Sequence, residues 1–469
     1  MGNTYYIVAI EVSSSKISGV VGIETTEGMR ILATASTPVD GFISKGIVRN
    51  VDKASEAISS IVNILESDLR NVVKEDIAIK KAYISFAGLS MKSIRSKVTR
   101  DFGGYIKITP EIIDGMECEN QETFRVPDGY KRLQVDTQEY RFDGNIDFNP
   151  IGAPTQHIEC NYLNIVMKEQ FFAQLCESFA QAGIEIEDSF CAANLDADIL
   201  LSKDLRRNGC ALVNIGAETT TISIYSNDKP RTLTVLPLGS NNITRDLTAE
   251  RISLDKAEVI KFTRGYKPAT NANDDIDSET SDNIIYARTG EILKNVRYQI
   301  EESGERVHHI IFTGGGSKLK NLSMLLEEFL PDFSTEIKPE PQFNLVSESG
   351  VNVSGVITTA LYGLLKQGKA NCCELLMPAA QENGEIFSQT EMEGKEETIF
   401  IEPALNETPE IKEEIVEPKV EATKEKEPAK PTGKKTQKKS WGIGNLFQEW
   451  IKNATSDPEY ENETANNDQ

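Results

Sequence analysis

Three short segments of this 469-residue chain combine small hydroxyl residues, glycines and a few charges at the ends of apolar runs. Two of them join consecutive β-like runs, and the third leads from a β-like run into a helical one. Turns of this kind offer backbone N–H groups and hydroxyls to phosphate oxygens. The segments are Ala9 to Lys16 (the first loop), Asn214 to Thr221 (the second loop) and Thr313 to Ser317 (the third loop). Together they predict one pocket that closes on a nucleotide, most simply ATP.

In the first loop, a carboxylate ends a buried strand, three serines can face a phosphate, and a lysine can neutralise its charge. Serine runs between strands are more often ordinary turns, so this loop indicates a site only together with the other two. The candidates are Glu11, Ser13, Ser14, Ser15 and Lys16.

The second loop follows an N/D-x-G-x-x-T-T pattern, typical of a hairpin that wraps terminal phosphates, with a plain β-hairpin as the alternative. Its candidates are Asn214, Gly216, Thr219 and Thr220. In the third loop, Ser317 is expected to cap a helix from Lys318 to Phe329. An ordinary strand-to-helix loop accounts for one glycine but hardly for three, so the candidates are Gly314, Gly315, Gly316 and Ser317.

The elements that must position these loops recur in the same order. Three strands and a helix are predicted at 5–12, 17–24, 30–37 and Asp52 to Arg70, and again at 209–215, 219–226, 231–238 and Asn242 to Glu250, followed by Leu254 to Arg264. A repeated βββα unit predicts an α/β fold of two similar lobes, each with a mixed sheet, and a pocket in the cleft between them.

Composition changes along the chain predict the domain limits. A small inserted subdomain, with a turn at Gly103-Gly104, is expected to interrupt the first lobe. From about residue 371 the chain is rich in Glu, Lys and Pro and poor in aromatics, which predicts a disordered tether. The predicted limits are 1–84 and 162–206 for the first lobe, 85–161 for the insert, 207–243 and 305–370 for the second lobe, 244–304 for its own subdomain, 371–439 for the linker, 440–454 for a helix and 455–469 for an acidic tail.

The overall composition argues against several classes of protein. A net charge of −23 disfavours a nucleic-acid binder. The seven cysteines form no C-x-x-C pair and are expected to be reduced and structural, and with three histidines a zinc site is disfavoured. No signal peptide precedes the first strand, and no apolar run reaches about 18 residues, so a cytoplasmic protein is expected.

The predicted helix at 440–454 is amphipathic. Both tryptophans of the chain lie in it, and its apolar residues recur at helical spacing behind a lysine cluster. This pattern is typical of a segment that lies in an anionic membrane surface, although docking on a protein is the alternative. One copy should bind weakly, so stable attachment needs several copies on one assembly. The membrane candidates are Lys438, Lys439, Trp441, Ile443, Leu446, Phe447, Trp450 and Ile451.

Beyond the three loops, further segments resemble the FtsA family of bacterial cell-division proteins, within the superfamily of actin, sugar kinases and heat-shock chaperone ATPases. The resemblance covers about residues 5 to 370 and the terminal helix. It includes Gly41 to Val48, Ala257 to Lys261 with Gly265, and Arg288 to Glu291.

The resemblance implies that Glu258 and Lys261 lie near the adenosine and that Gly314 to Ser317 contact its sugar and base. It implies Mg²⁺ held by Glu11 through water, self-assembly through the insert, and attachment at the division site on the cytoplasmic face of the inner membrane. It further implies that 244–304 captures the C-terminal tail of the tubulin-like protein FtsZ, with Arg288 at that contact, and that later division proteins are recruited.

The chain departs from the family at two points. The family usually has Asp where this chain has Asn214, and commonly Gly-Thr where it has Ser13-Ser14. An amide cannot organise a Mg²⁺-bound water by charge. Glu187 and Asp188 are expected near the lobe junction, but more as solvated turn residues than as a general base. Hydrolysis is therefore expected to be slow or absent, and whether the chain is an enzyme stays open.

Two other functions fit the same fold. A small-molecule kinase would need an Asp over a substrate hydroxyl in the cleft, which no pattern in the sequence indicates. A pilus-assembly adaptor would also act beneath the membrane. The lysine-flanked terminal helix favours a division protein.

Overall fold

The structure is a computed structural model that describes residues 5–266, 276–339, 343–348, 351 and 353–376. The helices are α1 Val51–Val73, α2 Pro110–Thr123, α3 Glu169–Gln181, α4 Ala192–Leu200, α5 Lys203–Asn208, α6 Ser240–Thr248, α7 Leu254–Thr263, α8 Ile276–Glu302, α9 Leu322–Phe329 and α10 Thr359–Gln367, with a 3₁₀ turn at Gly315–Lys318. The strands are β1 Ile7–Val12, β2 Lys16–Thr25, β3 Gly28–Pro38, β4 Ile43–Ser44, β5 Ile47–Val48, β6 Ile77–Ile79, β7 Lys81–Phe86, β8 Lys92–Lys107, β9 Tyr130–Phe142, β10 Asn145–Asp147, β11 Pro154–Lys168, β12 Glu185–Cys191, β13 Cys210–Ile215, β14 Thr220–Ser226, β15 Lys229–Leu236, β16 His309–Thr313, β17 Ser334–Ile337, β18 Leu345–Ser347 and β19 Cys373–Leu375.

A six-stranded mixed sheet has the order β12-β7-β1-β2-β3-β18. β1 is a continuous apolar run that is buried on both faces from Ile7 to Ile10, as expected for a central strand. α1 packs its apolar stripe on this sheet and begins at the Asn50 cap, whose side chain accepts from the Lys53 N–H. Gly19 lets α1 come close, because a Cβ there would lie 2.9 Å from Ile61 and from Leu65.

A nine-stranded mixed sheet has the order β10-β9-β11-β8-β15-β14-β13-β16-β17. Its β13, β14 and β15 are antiparallel neighbours, as β1, β2 and β3 are. The second triplet leads directly to α6, and the first leads to α1 after the short β4–β5 hairpin. In both sheets a parallel strand then joins the first strand of the triplet, β7 beside β1 and β16 beside β13. The repeated βββα order and the two mixed sheets predicted from the sequence are confirmed.

The strands within the insert extend the nine-stranded sheet. β8 meets β15 at the pair Lys92 and Thr234, and side chains make further contacts along this junction. The Leu233 N–H donates to Ser93 Oγ at 2.8 Å, and Arg95 donates to the Arg231 carbonyl at 3.2 Å. The strands of the insert and the strands β13 to β17 therefore belong to one sheet. Side-chain hydrogen bonds supplement the single backbone pair at their junction.

One local prediction in this region was wrong. Gly103-Gly104 does not end a strand but lies inside β8, where residues 102–105 bulge opposite Gln156 of β11. A positive φ of 51° at Gly103 accommodates this bulge. The polar residues around Asp136 form a strand, β9, which the sequence pattern did not predict.

At the other end of the described chain, β19 pairs with β6, and Cys372 and Cys373 are buried. The chain therefore stays folded through these residues, beyond the expected start of the tether at 371. The rest of the predicted linker, the helix at 440–454 and the acidic tail lie outside the described residues. In the described part, no helix is long and apolar enough to cross a membrane, and all seven cysteines are free.

Candidate functional site

A cavity of about 510 Å³ lies where the three predicted loops converge. The ends of β1, β13 and β16 reach it together with α4, α7 and the segment that leads into α10. The predicted residues that line it are Glu11, Ser13, Ser14, Ser15, Lys16, Asn214, Gly216, Thr219, Glu258, Gly314 and Gly315. Segments more than 300 residues apart in sequence thus form one concave surface.

The first loop is a tight turn held by its own hydroxyls. Ser13 Oγ donates to the Lys16 carbonyl at 2.7 Å, and the Ser13 N–H donates to the same oxygen at 3.1 Å. Ser14 Oγ accepts from the Gly46 N–H at 2.7 Å. Lys16 Nζ donates to the Gly355 carbonyl at 2.5 Å, and burial lowers the pKa of this ammonium. The turn is fixed in shape before any ligand enters.

Glu11 ends β1 at the cavity and accepts a hydrogen bond from Thr358 Oγ1, the cap of α10. Glu11 is partly buried, and burial raises the pKa of its carboxyl; the Thr358 hydroxyl opposes the shift. Glu11 therefore brings a partly uncompensated negative charge into the cavity, which a cation bound with the ligand would stabilise.

The second loop is closed by the Gly216 N–H, which donates to the Thr219 carbonyl at 2.8 Å. Strand alternation places the side chains of Thr219 and Thr221 at the cavity. It turns Thr220 the other way, where its hydroxyl donates to the Leu238 carbonyl at 2.7 Å. The structure therefore does not bring Thr220 into the site, and Thr221 occupies the position that the pattern assigned to it.

Asn214, where the second loop begins, makes a contact that the sequence did not reveal. Its Nδ2 donates to Asp196 Oδ2 at 2.7 Å, and Asp196 Oδ1 accepts from Thr359 Oγ1. Asp196 is 2% exposed, and burial raises the pKa of its carboxyl. The available signal was an acidic residue among Leu195, Ala197 and Leu200 on the buried side of α4.

The third loop turns at Gly314, whose φ is 85° and where a Cβ would lie 2.2 Å from Asn214 Oδ1. Ser317 was expected to cap a helix beginning at Lys318. Instead its hydroxyl donates back to the Gly314 carbonyl at 2.7 Å within a 3₁₀ turn, and α9 begins later, after Asn321. Neither Gly316 nor Ser317 lines the cavity, whereas Lys318 does.

Glu258 lines the cavity, but Lys261 lies behind it. Lys261 is 1% exposed, and its Nζ donates to Glu258 Oε2 and Thr244 Oγ1, both at 2.8 Å. Burial lowers the pKa of this ammonium, while Glu258 opposes the shift. Lys261 thus joins α7 to α6 and supports Glu258, and it does not reach the predicted ligand.

Arg288 lies away from the cavity on α8. Its guanidinium donates to Asp246 of α6 and, at 2.7 Å, to Glu291 one turn further along α8. About a third of the side chain is exposed, so a partner that approaches it meets an arginine already paired with two carboxylates. The predicted membrane residues of the terminal helix lie outside the described residues.

Glu187 and Asp188, expected near the lobe junction as solvated turn residues rather than as a general base, lie in strand β12 and not at the site. Glu187 pairs with Lys81 at 2.9 Å, Asp188 accepts from the Ser189 N–H at 2.7 Å, and neither lines the cavity.

Comparison with known proteins supports the resemblance stated above. Residues 211–350 match the family model described as cell division protein FtsA. Proteins named cell division protein FtsA align from Porphyromonas gingivalis, with 27% identity over 70% of this chain and 71% of the relative, and from Bacillus subtilis, with 25% identity over 70% and 78%. The Escherichia coli protein of that name is 22% identical over 77% of this chain and 90% of its own length.

Among solved structures, a chain of the PilM-PilN type IV pilus biogenesis complex superposes with a TM-score of 0.55, at 17% identity. The match covers 77% of this chain and 98% of that chain. At this identity the likeness concerns the fold. Together with the repeated sheets, it confirms the predicted actin-like α/β architecture.

Proposed function

We propose, for a chain that belongs to the FtsA family of actin-like cell-division proteins, that it binds ATP in the cleft and serves as a structural adaptor at the division site. The observation that supports this most is the convergence of the three loops on one cavity. An adaptor of this kind uses the nucleotide to stabilise one conformation, and so it does not need rapid turnover.

The residues around the cavity suit a nucleoside triphosphate. In this proposal the N–H groups and hydroxyls of the first and second loops contact the phosphates, and Lys16 and Lys318 contribute positive charge at the cavity. Glu258 and the glycines Gly314 and Gly315 are assigned to the sugar and base.

The residues also fit Mg²⁺ as ATP carries it. No group of three or more His, Cys, Asp or Glu in the described ranges could hold a metal ion alone. Mg²⁺ bound mainly by phosphates and water needs only one or two carboxylates, which Glu11 supplies through water. Bound there, the ion would neutralise phosphate charge. Because the Asn214 amide cannot organise a Mg²⁺-bound water by charge, turnover is expected to be slow.

The remaining parts of the proposal concern assembly. We place copies of this chain as filaments on the cytoplasmic face of the inner membrane, held by the terminal helices acting together. The α6–α8 region with Arg288 would bind the C-terminal tail of FtsZ, and later division proteins would follow. The predicted domain limits are retained as part of this proposal, except the linker start at 371, because β19 still belongs to the fold.

A small-molecule kinase is the alternative function, and it would need an acidic residue in the cleft. Asp196 is an acidic residue in the cleft, but its two oxygens accept from Thr359 and Asn214. A carboxylate held in this way is poorly placed to take a proton from a substrate hydroxyl. The adaptor therefore remains the preferred function.

Isothermal titration calorimetry of the purified full chain with ATP tests the binding step. Saturable binding is expected, weakened about tenfold in Lys16→Ala through loss of a charge-assisted contact. Lys203→Ala, an exposed lysine of α5, serves as the matched control and should bind normally. No heat of binding with the wild type would overturn the proposal.

Fluorescence microscopy of a tagged chain in its own host tests the cellular role. A ring at mid-cell that disappears on depletion of FtsZ is expected. A diffuse signal would favour a kinase, and a ring that persists without FtsZ would contradict the tether.

A further inference from the structure

The carboxylate of Asp196 lies where the two sheets meet. α4 places Ala193 and Leu195 in the core of the six-stranded sheet, and Ala197 and Leu200 in a core shared with β13 and β14. Asp196 sits between these two sets and is almost fully buried. A charged group is retained in such a place only if its partners repay the cost of removing it from water.

Its two partners come from opposite sides of the cleft. Thr359 opens α10, which packs against β1 in the first core, and donates to one oxygen. Asn214 begins the second loop and donates to the other at 2.7 Å. All three residues line the cavity. One carboxylate therefore holds both walls of the predicted ATP site.

This contact also fixes which way the Asn214 amide faces. A carboxylate can only accept, so the amide must turn its Nδ2 towards Asp196 and its Oδ1 away. The Oδ1 then lies against the turn of Gly314, close enough that any side chain on that glycine would collide with it. The orientation of Asn214 thus sets the spacing between the second and third loops.

We propose that Asp196 is a positioning residue for the nucleotide: by orienting Asn214 it joins the second loop to the α10 side of the cleft through a hydrogen bond that needs no divalent cation. This inference rests on the proposed ATP site. Mg²⁺ still accompanies ATP, but closure of the second loop onto α4 does not depend on it.

An Asn214→Asp substitution should make the contact between the second loop and α4 depend on a cation. Two carboxylates would face each other at hydrogen-bonding distance without a hydrogen between them, so the contact would need a cation or a shared proton. The double substitution N214D/D196N moves the charge across the cleft and restores one donor opposite one acceptor.

The experiment is calorimetric titration of the full chain with ATP at mildly alkaline pH, with Mg²⁺ or with EDTA. Relative to wild type, N214D should lose about tenfold in affinity in EDTA and markedly less in Mg²⁺. The double variant should regain most of the lost affinity. Its ratio of the dissociation constants in EDTA and in Mg²⁺ should return to the wild-type value. Asp198→Asn, on the same helix but outside the cavity and paired with Arg206, should match wild type.

Either of two results would overturn the proposal. One is a ratio of dissociation constants, EDTA to Mg²⁺, that is the same for N214D and wild type. The other is a double variant that binds ATP no more tightly than N214D. If wild type binds no ATP in either buffer, the proposed function fails, and thermal unfolding of the same variants then decides the pairing itself. If the double variant unfolds at the wild-type midpoint temperature and N214D unfolds at a lower one, the link between the two walls is supported. If the double variant unfolds no higher than N214D, the link is rejected.

Discussion

At the scale of single residues, the cavity joins groups that local patterns reveal with groups that they do not. Serines, threonines and glycines in turns are local signals, and they located all three loops. Thr358 lies 347 residues after its partner Glu11, and Thr359 lies 163 residues after Asp196. Such pairings depend on how α10 packs against the sheet, and no spacing within one segment predicts them.

Glu11 is expected to destabilise the nucleotide-free protein and to strengthen binding of Mg²⁺-ATP. Burial raises its pKa above 4.5, so at neutral pH the ionised carboxyl destabilises the free protein, by an amount that grows as pH rises from 4.5 through the raised value. Glu11→Gln keeps an acceptor for Thr358 and should raise the nucleotide-free melting temperature by about 2 °C. It should also weaken binding of Mg²⁺-ATP.

Differential scanning fluorimetry over a pH series checks this prediction. The gain from Glu11→Gln should shrink as pH falls below 4.5, where the wild-type carboxyl becomes protonated in both the folded and the unfolded state. A variant that melts at or below the wild-type temperature at neutral pH would contradict it.

Two adjacent glycines of the third loop should respond differently to alanine. At Gly314 a Cβ would meet Asn214 Oδ1 at 2.2 Å in a backbone of positive φ, whereas nothing lies within 4 Å of a Cβ at Gly315. Gly314→Ala should cost about 2 kcal/mol or more in unfolding free energy, and Gly315→Ala close to nothing. Urea unfolding without nucleotide measures both, and equal costs would reject the assigned turn.

At the scale of elements, strands with a strong hydrophobic pattern were predicted within about two residues. Two of the failures depend on a neighbour that is distant in sequence. β9 has mostly polar residues of intermediate exposure and is recognisable only through its pairing with β11. The bulge of β8 lies opposite β11, and this pairing overrides the turn preference of Gly103. The late start of α9 has a local cause, because the Ser317 hydroxyl donates to the Gly314 carbonyl within the 3₁₀ turn.

Arg231 is expected to be the main charged link between β15 and the insert. It donates to Glu139 of β9, and the side chains of both are about nine-tenths buried, whereas Arg141 pairs with the same carboxylate from a half-exposed position. Arg231→Met leaves the buried Glu139 carboxylate with only the half-exposed Arg141 as its ionic partner and should lower the unfolding free energy by about 3 kcal/mol. Arg141→Met should cost about 0.5 kcal/mol or less.

The pH dependence provides a second check on this pair. Burial alone would raise the pKa of Glu139, but hydrogen bonds from Arg231 and Arg141 hold it below 4.5. The ionised Glu139 carboxylate therefore stabilises the folded state above pH 4.5, and this stabilisation is lost as pH falls through the lower pKa that Glu139 has in the folded state. Denaturation curves of wild type and Arg231→Met should converge in acid, and a constant difference would contradict the assignment.

At the scale of the whole molecule, composition predicted two lobes and a terminal helix with no folded body around it. The repeated strand order made the two sheets predictable, because each triplet alternates in the same way. The joining of the insert to the nine-stranded sheet was not predictable, since it rests on side-chain contacts of Ser93 and Arg95.

Deletion of residues 440–454 should abolish co-sedimentation of the full chain with anionic vesicles. Each large apolar side chain contributes about 1.5–3 kcal/mol on burial, which the cost of ordering the helix largely offsets. Binding should therefore rise steeply with filament assembly. A variant with Trp441 and Trp450 changed to Ser, which keeps the lysines, separates apolar insertion from charge; unchanged sedimentation of either variant would reject the anchor.

The junction of β8 and β15 has a mechanical consequence. Where two strands diverge, tension along the sheet passes from a regular backbone ladder to a few side chains, here Ser93, Arg95 and Arg231. Such bonds yield one after another rather than all together. A chain pulled through its insert would thus lengthen first at this junction, while the cleft proposed to bind ATP stays under little load.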